Sequence, residues 1–272
     1  MVVLVTVGHI GERRLARVAH IGQVRGMQGH TTSMNKKFKA AIKETSIVGP
    51  LALGLYRSIK DWRFRRFFRG KSRAQIFTQI YERNFWSDPG SRSGAGSNLA
   101  NTESIRRALP AMLSELAIGS MLDIPCGDFN WMKEIDLGAV NYVGADIVPK
   151  LIARNNQLYR SARRSFVTLD LVLASLPRAD LILCRDCLVH LSFGEIFSAI
   201  ENMRMSGATY VLTTHFPNLV DNQPLPDLHW RPLNFERAPF HFPGPLRAIV
   251  EEENGKTLSL WTLADIPRLP RN

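Results

Sequence analysis

The chain has 272 residues, of which 45% are hydrophobic and 22% are charged. This composition is typical of a globular protein and excludes a wholly disordered, fibrous or membrane-embedded one. The longest apolar run, residues 47–56, is about half of the roughly 20 residues that a membrane-spanning helix needs, so no integral membrane span is expected. Three cysteines form no disulfide framework and fit a reducing compartment, which predicts a cytoplasmic protein.

The net charge of +11 is concentrated at the N-terminus. Residues 1–83 hold 17 Lys and Arg against 4 Asp and Glu, whereas residues 84–272 hold 18 against 20. A basic region of this kind favours anionic partners such as nucleic acid or lipid headgroups. The remainder of the chain is expected to be a near-neutral domain.

Residues 1–33 show no sustained apolar period and are predicted to be a disordered tail, or the product of a start assigned too early, since Met34 would be a natural beginning. Residues 34–75 are predicted to be a basic amphipathic helical extension, with Trp62 and Phe67 near one helical face. Two interpretations remain open for this extension. Its aromatic face docks on the following domain, or the extension contacts a membrane surface peripherally or a nucleic acid.

Residues 76–267 alternate between short apolar runs and helical periods, which predicts parallel strands with helices on both faces. A glycine- and serine-rich segment, residues 90–104, comes before a helix capped by Asn101 or Thr102 and kinked or restarted at Pro110. The predicted strands are 120–124, 141–145, 165–169, 181–184 and 209–213, and the further helices are 129–135, 149–159 and 193–205.

Two features follow the last of these strands. Residues 216–246 contain seven prolines and are predicted to be a loop-rich insertion on the substrate side. Residues 247–263 surround Asn254-Gly255, the preferred two-residue turn of a β-hairpin. The predicted fold class is therefore α/β, a doubly wound Rossmann-like sheet, mostly parallel, that ends in an antiparallel β-hairpin.

The segment from residue 121 to 131, M-L-D-I-P-C-G-D-F-N-W, runs from a strand into a tight turn at Gly127. Asp146 closes the next strand nineteen residues after this glycine. A glycine turn after one strand and a carboxylate after the next are the pattern of a nucleoside-binding site, in which the carboxylate accepts hydrogen bonds from ribose hydroxyls. A lone glycine followed by Asp128 suits pyrophosphate poorly, which disfavours a nicotinamide oxidoreductase and favours a cofactor with a cationic or zwitterionic tail.

Four motifs in order, L-D-I-P-C-G-D-F, Y-V-G-A-D-I, T-L-D-L and A-D-L-I-L-C-R-D, resemble the class I S-adenosylmethionine-dependent methyltransferases. The chain is most similar to a bacterial group whose first motif ends in C-G-D-F-x-W, and the similarity runs from about Ile76 to Pro267. The resemblance implies S-adenosyl-L-methionine as the cofactor. The residues that it assigns to the cofactor are Asp123, Pro125, Cys126, Gly127, Asp128, Asp146, Ile147, Asp170, Leu171 and Arg185.

Within that set, Asp146 is expected at the ribose hydroxyls, Ile147 against the adenine, and Asp170 with Leu171 at the adenine edge. Some alternatives remain open. Asp146 would otherwise be a surface turn residue, Asp170 a helix N-cap, and Trp131 either core or a wall of the cofactor site.

The fourth predicted strand leads into C-R-D-C-L-V-H, residues 184–190, which this fold would turn toward the transferred methyl group. His190 is the first candidate for a general base and Asp186 the second. The alternative for His190 is a packing histidine. Cys184, Cys187 and His190 could also bind zinc with Cys126 as the fourth ligand, or Cys184 and Cys187 could be redox-active. Inert buried cysteines are expected instead, and no metal is assigned.

The remaining candidates are substrate contacts. Ser93, Gly94 and Ser97 would fold over the cofactor or belong to a linker. His215, Trp230 and Arg231 are predicted to bind the substrate, with Trp230 stacking on a ring and Arg231 holding an anion.

The predicted activity is methyl transfer from S-adenosyl-L-methionine to a hydroxyl or carboxyl of a small-molecule or saccharide acceptor, with O-methylation favoured. Such an acceptor is favoured because the near-neutral charge of the domain argues against a large phosphate backbone there. Two alternatives remain open: an RNA methyltransferase that uses the basic N-terminal region, and a non-catalytic nucleoside-binding module.

Overall fold

The computed structural model describes residues 69–225, 230–251 and 255–270. The predicted tail, residues 1–33, and residues 34–68 of the predicted basic extension lie outside the described residues. Among the described residues, no helix is long and apolar enough to cross a membrane.

Seven strands form one sheet in the order β3-β2-β1-β4-β5-β7-β6. The strands are β1 Ser120–Asp123, β2 Asn141–Asp146, β3 Arg164–Thr168, β4 Leu181–Cys184, β5 Tyr210–His215, β6 Arg247–Val250 and β7 Thr257–Thr262. Strands β1 to β5 pair in parallel, and β7 pairs antiparallel with both β5 and β6. The predicted fold class, a mostly parallel doubly wound sheet ending in an antiparallel hairpin, is confirmed.

The central strands are apolar because both faces of the sheet are covered. Every residue of β4 is buried, and β1 is buried from Met121 onward. Two apolar clusters cover the sheet, one containing Leu122 and Ile182 and the other Met121 and Leu183.

The described residues form four α-helices: α1 Arg73–Glu82, α2 Glu103–Glu115, α3 Pro149–Tyr159 and α4 Phe193–Met205. The bounds of α3 and α4 match the prediction. Helix α1 was not predicted as a separate element and crosses the predicted boundary at residues 75 and 76. Its start is fixed by a capping box, in which the Ser72 hydroxyl accepts from the Gln75 amide and the Gln75 side chain accepts from the Ser72 amide.

Other local predictions need correction. The helix predicted at residues 129–135 is wrong, because only a three-residue 3₁₀ turn, Met132–Glu134, forms there. Helix α2 continues through Pro110, where a kink or restart was predicted. Thr102 precedes this helix, but its hydroxyl donates to the Asn98 carbonyl instead of capping the helix. The hairpin strands are β6 Arg247–Val250 and β7 Thr257–Thr262, and Asn254 of the predicted turn lies outside the described residues.

The strand order locates the crevice of the fold. From β1 the chain moves to one side through β2 and β3, and to the other side through β4 and β5. The order therefore reverses at β1, and in open α/β sheets ligands bind at the carboxyl ends of the strands beside such a reversal. The residues that follow β1, β2 and β4 are consequently brought together at one edge of the sheet.

Candidate active site

A cavity of about 550 Å³ opens at this edge of the sheet. Its volume lies within the usual range for ligand sites, roughly 300–1,000 Å³. We call its two walls the β1–β2 side, formed by residues after β1, β2 and β3, and the β4 side, formed by residues after β4 and β5 and at the start of β7. Residues of α1 and of the loop 91–97 complete the lining.

The turn after β1 is held by backbone bonds and by one buried side chain. The Cys126 amide donates to the Ala145 carbonyl at 2.8 Å, and Nδ2 of Asn155 donates to the Gly127 carbonyl at 2.8 Å. Gly127 has a φ of +54°, and a Cβ atom there would lie 2.4 Å from Oγ of Ser93. Only glycine fits this position without displacing the loop that packs on it.

Two buried carboxyls define the β1–β2 side. Asp146 accepts from the Val148 amide at 3.0 Å and from the Gly127 amide at 3.2 Å. Burial raises the pKa of Asp146 to about 6, although these backbone bonds act in the opposite direction. Asp123 accepts from the Tyr142 hydroxyl at 2.6 Å, and burial raises its pKa to about 7. Both carboxyls line the cavity, so a ligand that donates hydrogen bonds or carries positive charge would favour their ionised forms.

Asp170 follows β3 on the β1–β2 side and forms an ion pair with Arg73 of helix α1. Nη2 of Arg73 donates to both Asp170 oxygens, at 3.0 and 2.9 Å, while Nη1 of Arg73 bonds Glu195 at the start of α4. One Asp170 oxygen also accepts from the Val172 amide at 2.9 Å, and no helix begins there. Asp170 therefore lines the cavity as part of an ion pair with α1.

The loop 91–97 lies over the glycine turn. Oγ of Ser93 accepts from the Asp128 amide at 2.9 Å, and the Asp128 carboxylate accepts from the Ser91 hydroxyl at 2.9 Å and the Arg92 amide at 2.7 Å. Ser93, Gly94 and Ser97 line the cavity. Asp128, which was assigned to the cofactor, instead anchors this loop and is absent from the described lining.

The β4 side contains a buried network of opposite charges. Arg185 donates to Oε2 of Glu251 at 3.1 and 2.6 Å, and both side chains are almost wholly buried. Lys256 donates to Oδ2 of Asp186 at 2.9 Å, and Arg185 lies 3.3 Å from the same oxygen. Although burial acts in the opposite direction, these two cations lower the pKa of Asp186. Asp186 is therefore a paired carboxylate and a poor proton acceptor.

His190 ends the 3₁₀ turn Leu188–His190 and lines the cavity. Its ring contacts the rings of Phe77 and Trp86, each at a centroid distance of 6.3 Å. Burial lowers the pKa of His190 to about 4, with Arg231 acting in the same direction and Asp186 in the opposite one. The imidazole is consequently neutral at physiological pH, with a ring nitrogen able to accept a proton.

Of the three predicted substrate contacts, the structure places one in the lining of the cavity and two outside it. Trp230 lines the cavity, is 48% exposed, and has its ring 5.6 Å from that of Phe216. His215 is 1% exposed, accepts from the Phe235 amide at 3.2 Å and bonds Glu236 at 3.2 Å. Arg231 is 4% exposed and donates to the Leu191 carbonyl. Neither His215 nor Arg231 belongs to the described lining.

Two of the three cysteines, Cys126 and Cys187, line the cavity, and Cys184 lies in the apolar core. Cys126 and Cys184 are buried and Cys187 is half-buried, and all three are free thiols. Within the part of the chain that the structure describes, no group of three or more His, Cys, Asp or Glu side chains is arranged to hold a metal ion.

Several site residues were missed from the sequence: Arg73, Tyr142, Asn155, Glu251 and Lys256. A polar residue on the buried face of a predicted helix was the available signal for Asn155, which is 1% exposed. The pairing of Glu251 and Lys256 with residues after β4 spans 66 and 70 positions, and no local pattern indicates it.

No family model and no curated protein matches the chain. Among solved structures, the N-methyltransferase NodS from Bradyrhizobium japonicum, in complex with S-adenosyl-L-homocysteine, is 20% identical, with 51% of this chain and 72% of that chain covered and a TM-score of 0.42. The magnesium protoporphyrin IX methyltransferase from Synechocystis, with bound S-adenosyl-L-homocysteine, is 14% identical, with 72% and 95% covered and a TM-score of 0.47. These likenesses are weak, and the function is therefore argued from the residues of this chain.

Proposed function

We propose that this protein is an S-adenosylmethionine-dependent methyltransferase that transfers the methyl group to a hydroxyl of a small-molecule or saccharide acceptor. One observation carries the proposal. Two buried carboxyls, Asp123 and Asp146, and a neutral histidine, His190, line opposite walls of one cavity at the reversal of strand order.

The donor set of the β1–β2 side fits the cofactor. Asp146 would accept hydrogen bonds from the ribose hydroxyls, since a carboxylate has about four acceptor positions and the two backbone amides use only part of that capacity. Asp123 and the turn at Gly127 would hold the amino-acid part, whose ammonium group is attracted to a carboxylate. Ile147 and Leu171 offer apolar surface for the adenine, beside the Asp170 carboxylate.

When bound, the cofactor would supply a methyl group activated by a sulfonium centre. His190 would accept the proton of the acceptor hydroxyl as the oxygen forms its bond to the methyl carbon and the carbon–sulfur bond breaks. The low pKa of His190 makes it a weak base, but it leaves the ring unprotonated throughout the physiological range. Positioning of the two reactants supplies much of the remaining rate enhancement.

The aromatic residues near His190 support a ring-shaped acceptor. Trp86 and Trp230 both line the cavity, and they are 39% and 48% exposed. Large aromatic side chains that remain partly exposed at a cavity offer a flat apolar surface on which a sugar or aromatic ring can stack. The near-neutral charge of residues 84–272 agrees with such an acceptor better than with a polyanion.

The test has two parts. Calorimetry should detect binding of S-adenosylmethionine, and no binding up to about 1 mM, the upper end of common KM values, would overturn the proposal. The full-length protein is then incubated with methyl-labelled cofactor and cell extract, and the labelled product is identified.

Transfer of label to a small molecule or saccharide would support the proposal. Label in nuclease-sensitive material would overturn the acceptor assignment in favour of RNA. Binding without transfer to any component would favour a nucleoside-binding module. The Asp146→Ala variant, run in parallel, separates enzymatic labelling from background.

A further inference from the structure

Arg231 is a buried cation whose contacts converge on the turn that carries His190. The Arg231 amide donates to the Val189 carbonyl at 3.1 Å, and Nη1 of Arg231 donates to the Leu191 carbonyl at 2.8 Å. These two carbonyls belong to the residues immediately before and after His190. One residue therefore holds the backbone on both sides of the histidine.

The guanidinium is fixed in place and carries a charge that none of the described residues pairs. It lies over the ring of Phe193, the first residue of α4, at 4.9 Å from the centroid. Nε and Nη2 are buried and have no hydrogen-bond partner among the described residues. Since a buried, unpaired charge is costly, a purely structural role is a poor explanation for an arginine here.

We propose that Arg231 is a positioning residue for His190, which fixes the turn Leu188–His190 at the cavity through its bonds to the two flanking carbonyls. This inference rests on the proposed role of His190 as the base of the methyl transfer. It replaces the prediction that Arg231 holds an anionic part of the substrate, because Arg231 does not belong to the described lining of the cavity.

The charge of Arg231 opposes protonation of His190. Arg231 lowers the pKa of His190, whereas Asp186, the other charged group that acts on it, raises it. Asp186 is itself paired with Lys256 and Arg185. The groups that face the imidazole from helix α1 and the loop after it, Phe77 and Trp86, carry no charge. The charge of Arg231 is thus a minor addition to burial, which is the main cause of the neutral imidazole.

Two variants separate this role from simple packing. Arg231→Met removes the charge and the side-chain donor while keeping an unbranched apolar stem, and Arg231→Lys keeps a charge and a donor. The pKa of His190 is measured by NMR titration of the full-length protein, with the ring signals assigned by their loss in His190→Gln. Exchange of the Leu191 amide, which closes the turn on the Leu188 carbonyl at 3.1 Å, reports the order of the turn.

In Arg231→Met we expect the Leu191 amide to exchange roughly 10-fold faster or more, since a charged hydrogen bond is lost. The pKa of His190 should rise only slightly above about 4, because burial, the main cause of the low pKa, remains. Arg231→Lys should stay near the wild type in both measurements. The ring signals of His215, which is buried elsewhere and bonded to Glu236, should not change.

A folded Arg231→Met protein with unchanged Leu191 exchange would overturn the inference. If that variant does not fold, Arg231→Gln replaces the charged donor with a neutral one, and unchanged Leu191 exchange there would overturn it equally. Neither measurement requires methyl transfer, and binding of S-adenosylmethionine is measured separately. Failure of this inference is thereby distinguished from failure of the proposed function.

Discussion

The two sides of the cavity are assembled from contacts of very different range. On the β1–β2 side, Gly127 and Asp146 are 19 residues apart and hydrogen-bond directly. On the β4 side, Arg185 pairs with Glu251 across 66 residues and Asp186 with Lys256 across 70. The first side follows from the end of two neighbouring strands, whereas the second forms only when the C-terminal hairpin closes on the sheet.

The same residue type also behaves oppositely on the two sides. Burial raises the pKa of Asp123 and of Asp146, which have no cation bonded to them, and both stay open to a ligand. On the other side, Arg185 and Lys256 lower the pKa of Asp186. We infer that the β1–β2 side binds the cofactor, and that on the β4 side His190, and not Asp186, handles the proton.

The largest expected effect tests the assignment of chemistry to the β4 side. In His190→Ala, turnover should fall roughly 10²–10⁴-fold, the usual contribution of a general base, while cofactor affinity stays within about twofold of the wild type. Initial rates with the acceptor identified by labelling measure the first quantity, and calorimetry measures the second. At saturating cofactor, the rate of the wild type should decline near pH 4, because that is the pKa of His190 in the protein.

If His190→Ala lost cofactor affinity to the same extent as turnover, His190 would be a packing residue. That result would contradict the division of roles between the two sides of the cavity. Full turnover in a folded variant would remove His190 from the mechanism. Asp186→Asn should be measured alongside. Loss of rate in this variant, with the acidic limb of its pH–rate profile unchanged, would indicate that the charged network of the β4 side contributes structurally.

The next effect in size tests the β1–β2 side. Asp146→Ala should weaken binding of S-adenosylmethionine roughly 10- to 150-fold, because a charged hydrogen bond contributes about 1.5–3 kcal/mol. Asp136→Ala is the matched control: Asp136 also accepts from the amide two residues later, at 2.9 Å to Gly138, but it does not line this cavity. Equal affinities of the two variants in calorimetry would sink the assignment of Asp146.

The range of these contacts also explains what the sequence could predict. The strand ends, the glycine turn and helices α3 and α4 follow local periodicity and spacing, and their predicted positions agree closely with the structure. Residues 129–135 were predicted to be a helix because their apolar spacing suits one, but Phe129 has a positive φ of +58° and packs among Tyr142, Tyr159 and Phe166. Tertiary packing decided the local structure there.

The contacts of the β4 side could not be predicted from the sequence, because they join residues that are far apart in the chain. Nothing near Arg185 indicates that a glutamate 66 residues later will be its partner. The sequence predicted a functional role for Arg231. A proline-rich segment without periodicity does not, however, indicate which way its side chain points. Its side chain donates to the Leu191 carbonyl, 40 residues away.

The smallest effect we expect is a pH dependence of cofactor affinity that belongs to the β1–β2 side alone. In the ligand-free protein the pKa of Asp146 is raised from 3.8 to about 6, and only its ionised form can accept hydrogen bonds with all its lone pairs. The contribution of Asp146 to binding should therefore be complete above pH 7 and should fall roughly tenfold between pH 7.5 and 5. The charge of the ligand is nearly constant over this interval, since ordinary α-carboxyl and α-amino groups titrate near 3.5 and 8.

Calorimetry in buffers of different ionisation enthalpy should show proton release on binding near pH 5.5. In Asp146→Asn the part of the dependence centred near pH 6 should disappear, leaving the part centred near pH 7 that comes from Asp123. His190→Ala, which changes the other wall, should keep the wild-type profile. An affinity in the wild type that does not change between pH 5 and 7.5, or an Asp146→Asn profile identical to it, would mean that Asp146 does not change its ionisation when the ligand binds.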